Sequence, residues 1–186
     1  MNIAYDLAGG TGDIALGFLN RNGGKATIAD LNFQMLSVGK QKNSSLSVNE
    51  NLSWLTCNGE NLPFNDNKFD IVSISFGLRN ITNKSIALNE IYRVLKPGGR
   101  FMCLEFSKVN VSVLNRFYQI WSSNVIPALG AKISGQKENY EYLIESIKRF
   151  PDQNELSLLI SNSNFISVKY RNLSGGIAAI HSGWKI

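Results

Sequence analysis

Asp6-Leu7-Ala8-Gly9-Gly10-Thr11-Gly12-Asp13 is the stretch whose reading decides the fold. It grows out of a short apolar run, residues 3–8, that reads as a strand. It runs into residues 12–20, where Ile14, Ala15, Phe18 and Leu19 recur at helical spacing until Asn22-Gly23-Gly24 stops them. Glycines between a strand and a helix let the backbone turn sharply and approach a ligand that side chains would hold off. Twenty residues after Gly10 a second strand, 25–30, ends on Asp30. An acid at that spacing can accept hydrogen bonds from both hydroxyls of a ribose, so Gly10, Gly12 and Asp30 read as a nucleoside site.

The alternation continues outward from this unit. A helix carrying Phe33, Met35, Leu36 and Val38 leads to strands at 52–57 and 69–76, the latter apolar enough to be covered on both faces. A helix over 85–95 is expected to stop at Lys96-Pro97-Gly98-Gly99, before a strand at 100–106. The pattern is then helical and aromatic over 111–133, 138–149 and 152–162, and two strands, 165–170 and 177–184, close the chain as a hairpin. Strands alternating with helices imply right-handed crossovers. The expected fold is α/β, a Rossmann-like, doubly wound, mostly parallel sheet with a C-terminal antiparallel hairpin, in a single domain over residues 1–186. Residues 111–150 form a helical lid or substrate region in this reading, or else pack on the sheet.

Composition narrows the function classes. The chain has 186 residues, 44% hydrophobic and 18% charged, as in a globular domain. No apolar stretch approaches the ~20 residues that cross a bilayer, and the N-terminus is not a secretory signal. The net charge of +5 is spread along the chain, which suits a solvated surface or contact with an anionic membrane face and gives no nucleic-acid arm. Cys57 and Cys103 sit in apolar runs and read as small core residues. With one histidine, His181, ligands for a zinc site are lacking, and no metal is expected. His181 itself reads as structural. The default compartment is the cytoplasm.

The acids around the turn choose between nucleosides. Asp6 and Asp13 would repel a pyrophosphate and welcome a cation, which favours S-adenosylmethionine over a nicotinamide cofactor. Asp13 is equally a first-turn acid that suits the helix dipole. Asn58, in Cys57-Asn58-Gly59, follows a strand end and can both donate to and accept from an adenine edge, or simply form a turn. Ser75, Arg79 and Asn80 follow on the same rim. Arg79-Asn80 is alternatively a helix-start loop, with Asn80 or Thr82 as the cap.

The pieces DLAGGTGDIA (6–15), ISFGLRNIT (74–82), YRVLKPGGRF (92–101), LEFSKV (104–109), YLIESIKRFPDQ (142–153) and AIHSGWK (179–185) resemble the ubiquinone/menaquinone biosynthesis C-methyltransferases. They cover nearly the whole chain in order. The resemblance implies a class I S-adenosylmethionine-dependent enzyme that methylates a ring carbon of a polyprenyl benzoquinol, of the 2-methoxy-6-polyprenyl-1,4-benzoquinol type or a demethylmenaquinol. It implies cofactor contacts from Thr11, Asp30, Asn58, Gly59 and Ser75, and places Arg79 and Asn80 beside the quinol ring. Arg79 would stabilise a phenolate and Asn80 orient its hydroxyl, with the general base unassigned. A homodimer or quinone-synthesis complex, and peripheral contact with the inner membrane, are partner arrangements compatible with that role. Members of the family carry a further N-terminal helical segment, so poor activity is expected of the 186-residue polypeptide alone. A methyltransferase of other small molecules and a non-catalytic scaffold are the competing readings.

Overall fold

The computed structural model describes residues 2–44, 49–108 and 137–186. Strands β1 (Ile3–Leu7), β2 (Lys25–Asp30), β3 (Leu52–Thr56), β4 (Phe69–Ser75), β5 (Leu95–Phe106), β6 (Ile166–Leu173) and β7 (Ala178–Trp184) form one sheet. Its order is β3-β2-β1-β4-β5-β7-β6. The first five strands pair in parallel, and β7 runs antiparallel to both β5 and β6. The expected doubly wound sheet and terminal hairpin are both present. The last strand of the chain lies inside the sheet and β6 forms its edge.

Helices α1 (Asp13–Asn22), α2 (Phe33–Lys42), α3 (Lys84–Val94), α4 (Lys137–Arg149) and α5 (Gln153–Asn162) accompany it. Successive side chains of a strand point to opposite faces, and the burial follows that rule. On one face Ala4, Ala26 and Ile28 pack with Ala15 and Leu19 of α1 and Leu36 of α2. On the other, Leu7, Val72, Ile74 and Phe101 pack with Leu88 and Ile91 of α3 and Leu156 and Ile160 of α5. Each fully buried side chain of this kind contributes about 1.5–3 kcal/mol relative to exposure.

Several boundaries differ from the sequence reading. Strands β1 and β4 each end one residue early, where Ala8 and Phe76 both adopt φ 54 and leave the extended region of the backbone map. Lys96-Pro97-Gly98-Gly99 does not separate α3 from β5. It is a bulge inside β5, where the pairing register jumps from Phe69–Leu95 to Ile71–Arg100. Gly98 N donates to Lys185 O at 2.7 Å and Lys185 N to Gly99 O at 3.0 Å, so the end of the chain supplies the bulge's partners. The cap of α3 is Asn83, whose Oδ1 accepts from Ile86 N, rather than Asn80 or Thr82. The helix expected over 111–133 lies outside the described residues.

Candidate active site

The strand order reverses between β1 and β4, and a crevice opens there at the carboxyl ends of the strands. The glycine turn joins β1 to α1 beside it. Gly12 adopts φ 86 at the N-cap of α1 and Gly10 φ 52, both in the region that favours glycine. A Cβ at Gly12 would also meet Ile28 at 2.7 Å and Trp54 at 2.8 Å. This glycine therefore serves helix–sheet packing as much as ligand approach.

Asp30 closes the turn. Its Oδ2 accepts from Gly10 N at 3.0 Å and its Oδ1 from Asn32 N at 2.8 Å. A carboxylate oxygen has a second lone pair, so both remain able to accept from a ligand. Asp30 lines a cleft of ≈ 270 Å³ together with Leu31, Cys57, Asn58, Gly59, Phe76, Asn80 and Ile81. Asn58 uses Oδ1 to accept from Glu60 N at 3.0 Å, a turn bond, and its side chain is exposed at the rim. Gly59 is buried, and a Cβ there would lie 3.0 Å from Ile81 and 3.2 Å from Leu7.

Asp6 lies beneath the turn and is almost fully buried. Ser73 Oγ donates to its Oδ1 at 2.7 Å, while Oδ2 has no hydrogen-bond partner. Burial pushes its pKa up to about 6, against the pull of the Ser73 hydroxyl and the Ala15 amide. Asp13 differs. It is exposed and takes hydrogen bonds from Thr11 Oγ1 at 2.8 Å and Lys42 Nζ at 3.1 Å, which hold its carboxyl below the usual range.

A second cleft of ≈ 270 Å³ adjoins the first across Asn80, Ile81 and Thr82. Its other walls include Arg79, Lys84, Tyr142, Glu145, Arg149 and Phe150. Arg79 follows β4 in a single 3-10 turn, Leu78–Asn80. Its Nη1 donates to Glu105 Oε1 at 2.9 Å and to the carbonyl of Phe76, and its Nε is buried without a partner. Asn80 is exposed, and its Oδ1 accepts from Tyr142 Oη of α4 at 3.1 Å.

Of the residues expected from sequence, Asp30, Asn58, Gly59 and Asn80 thus share one cleft, and Arg79 lines the adjoining one. Gly10, Thr11, Gly12 and Ser75 are not in either lining. Gly10 reaches the cleft through its bond to Asp30, and Ser75 pairs with Leu104 in the sheet.

The model of the ubiE/COQ5 methyltransferase family matches residues 2–185. The chain belongs to this family. Proteins named ubiquinone/menaquinone biosynthesis C-methyltransferase UbiE from Brucella abortus and Brucella melitensis are each 49% identical over 185 residues, covering 98% of this chain and 69% of theirs. Solved structures share the fold at low identity. The [4+2]-cyclase SpnF superposes with a TM-score of 0.75 at 15% identity, covering 99% of this chain and 74% of that one. Phosphoethanolamine N-methyltransferase 2 of Haemonchus contortus, in complex with S-adenosyl-L-methionine, gives a TM-score of 0.72 at 14% identity, covering 99% and 48%. A cyclase and an N-methyltransferase on one scaffold make the general point that substrate is decided by side chains, not by fold.

For this family member, sequence reasoning missed several residues of the two clefts. Leu31, Phe76 and Ile81 are apolar walls, and 72% of Leu31 is exposed. An isolated apolar residue directly after the strand-end acid was the available signal. Cys57 packs partly buried against the core, as expected, and also lines the cleft, 3.4 Å from Tyr5 Oη, whereas Cys103 is fully buried. Tyr142 of the second cleft, and Glu105, which lines neither cleft but pairs with Arg79, lie within the matching pieces and carry no expected role. A lone acid in the apolar run Phe101–Phe106 was the cue for Glu105. His181 is buried in β7 with Nε2 2.9 Å from Gln153 O, and burial pushes its pKa down. Among the described residues no group of His, Cys, Asp and Glu is arranged to hold a metal ion, and no helix is long and apolar enough to cross a membrane.

Proposed function

We propose that this chain transfers a methyl group from S-adenosylmethionine to a ring carbon of a polyprenyl quinol, in ubiquinone or menaquinone formation. The observation that carries the reading is the pair of adjoining clefts meeting at Asn80, one with an acid at the end of β2, in a member of this methyltransferase family.

The residues present suit the cofactor. Asp30 offers free lone pairs to the ribose hydroxyls, Asn58 an amide to the adenine edge, and Leu31 and Ile81 apolar faces to the purine. Asp6 adds a buried, part-unsatisfied carboxylate below the turn, which favours a ligand bearing positive charge. When bound, S-adenosylmethionine supplies an electrophilic methyl on a sulfonium.

The chain's own residues do the rest. A phenolate attacks through carbon far faster than a phenol, so the site must favour the ionised oxygen and align it. Asn80, at the wall common to both clefts, orients that hydroxyl; Tyr142 occupies its carbonyl and leaves its amide N–H groups for the substrate. Arg79 is a fixed cation in the second cleft, balanced by Glu105. Contact with a membrane face and self-association belong to this reading as its extensions, since a polyprenyl tail needs an apolar reservoir.

Calorimetric titration of S-adenosylmethionine tests the first half. Saturable binding is expected, weakened at least about tenfold by Asp30→Ala, as the loss of two charge-assisted hydrogen bonds requires. Mass analysis after incubation with demethylated benzoquinol and naphthoquinol tests the second, with one carbon-bound methyl gained. A folded chain that binds the cofactor but methylates neither quinol would overturn the substrate.

A further inference from the structure

Glu105 stands on the face of β5 that also carries Phe101 and Cys103, and only 1% of it is exposed. Burial pushes its carboxyl up, and Arg79 with the amides of Phe106 and Arg79 pulls it back. Oε1 accepts from Arg79 Nη1 and from Phe106 N, both at 2.9 Å, and Oε2 accepts from Arg79 N at 3.2 Å. One carboxylate therefore grips Arg79 by its main chain and its side chain together.

The segment it grips is strained. Phe76 has φ 54, a conformation that bulky residues avoid unless their surroundings over-determine it. On the far side the segment presses against the end of β1, where a Cβ at Gly77 would lie 2.3 Å from that of Ala8. Between these two constraints, Phe76 N donates to Leu104 O at 2.8 Å and Asn80 N to Gly77 O at 3.1 Å. Glu105 is the side-chain half of this clamp. It lines neither cleft.

We propose that Glu105 is the positioning residue of the methyl-transfer site: by holding the amide and the guanidinium of Arg79 at once, it sets the turn that presents Asn80 to both clefts. The proposal rests on the quinol-methylation reading and extends it to a residue that touches neither substrate nor cofactor. A displacement of ~1 Å in such a group can cost ~100-fold in rate, whereas Asp30 and Asn58 are held by turns of their own, so the clamp weighs more on turnover than on cofactor affinity.

Glu105→Gln keeps the size of the side chain but removes its charge and puts a donor opposite one of the three N–H groups. On the whole chain, three quantities decide: amide exchange at Arg79, S-adenosylmethionine affinity, and kcat on the demethylated quinol. Exchange at Arg79 should quicken by about tenfold or more while Val72 and Ile74 in β4 keep their protection. Cofactor affinity should stay within about threefold, and kcat should fall about 10- to 100-fold. Glu105→Asp, which keeps the charge, should recover part of the loss and carries the same readouts if the first variant fails to fold. Unchanged exchange at Arg79, or unchanged kcat, overturns the proposal. So does a fall in affinity and kcat in step with protection lost across the whole sheet, which would make Glu105 a fold-stability residue alone. A wild-type chain that methylates no quinol overturns the substrate reading instead, and the exchange measurement still decides the clamp.

Discussion

A carboxylate buried beneath the glycine turn carries a cost that the unfolded chain does not. Asp6 titrates near 6 in the fold and near 3.8 outside it, and each pKa unit corresponds to ~1.36 kcal/mol, so its ionisation costs about 3 kcal/mol of stability. The sign follows from proton counting. Between pH 3.8 and 6 the folded chain binds more protons than the unfolded one, so this contribution is fully present below pH 3.8 and is lost as pH rises through 6. Asp6→Asn should therefore be more stable than wild type above pH 6, by about 1–3 kcal/mol, with the difference vanishing near pH 4. Urea unfolding of both chains at four pH values checks this; parallel pH profiles would show that Asp6 is not the group responsible. The same variant should bind S-adenosylmethionine more weakly, because the negative charge is lost. At this scale the sequence was legible where chemistry is local. Asp30 and Asn58 stand at strand ends, and a strand end is visible in the residues that follow it. Arg79 was legible as a cation but not as a balanced one, since its partner Glu105 lies 26 residues on.

Short elements hold these residues, and their ends are set by identifiable caps. Asp152 Oδ1 accepts from Asn154 N and Glu155 N, both at 2.9 Å, and Glu155 Oε2 accepts from Asp152 N at 2.8 Å, a complete capping box at the start of α5. Asp152→Ala should cost about 1 kcal/mol in denaturant unfolding and leave cofactor affinity unaltered, since α5 packs behind the sheet. A loss under a few tenths would mean that tertiary packing alone starts the helix. This box was readable as Asp-x-x-Glu before an apolar run. The bulge in β5 was not. Lys-Pro-Gly-Gly has the residues of a helix stop, and what makes it part of a strand is the pairing of Gly98 and Gly99 with Lys185, at the opposite end of the chain.

Across the whole molecule, one sheet separates two apolar clusters, and that separation is testable. Ile28 lies in the cluster under α1 and α2, Ile91 in the one under α3 and α5, and both are fully buried. Ile28→Val and Ile91→Val should each cost about 0.5–1.5 kcal/mol, and the double variant should add them to within about 0.5 kcal/mol. A larger coupling measured by urea unfolding would mean that strain passes through the sheet. Ile28 also packs on the glycine turn, so its variant should loosen cofactor binding while Ile91→Val does not.

The amino-acid pattern by itself determined the class of this protein. Period-two and period-3.6 runs select a sheet with helices, and Gly9-Gly10-Thr11-Gly12 with Asp30 selects a nucleoside site, because hydrophobic periodicity and glycine's freedom act over neighbouring residues. Only the tertiary structure decided how the rim is assembled. Leu31, Cys57, Phe76 and Asn80 meet in one cleft, and Glu105 meets Arg79, because strands distant in sequence lie side by side in the sheet. A buried charge such as that of Glu105 is far less costly where the fold brings it a partner, and no local pattern states which partner that is.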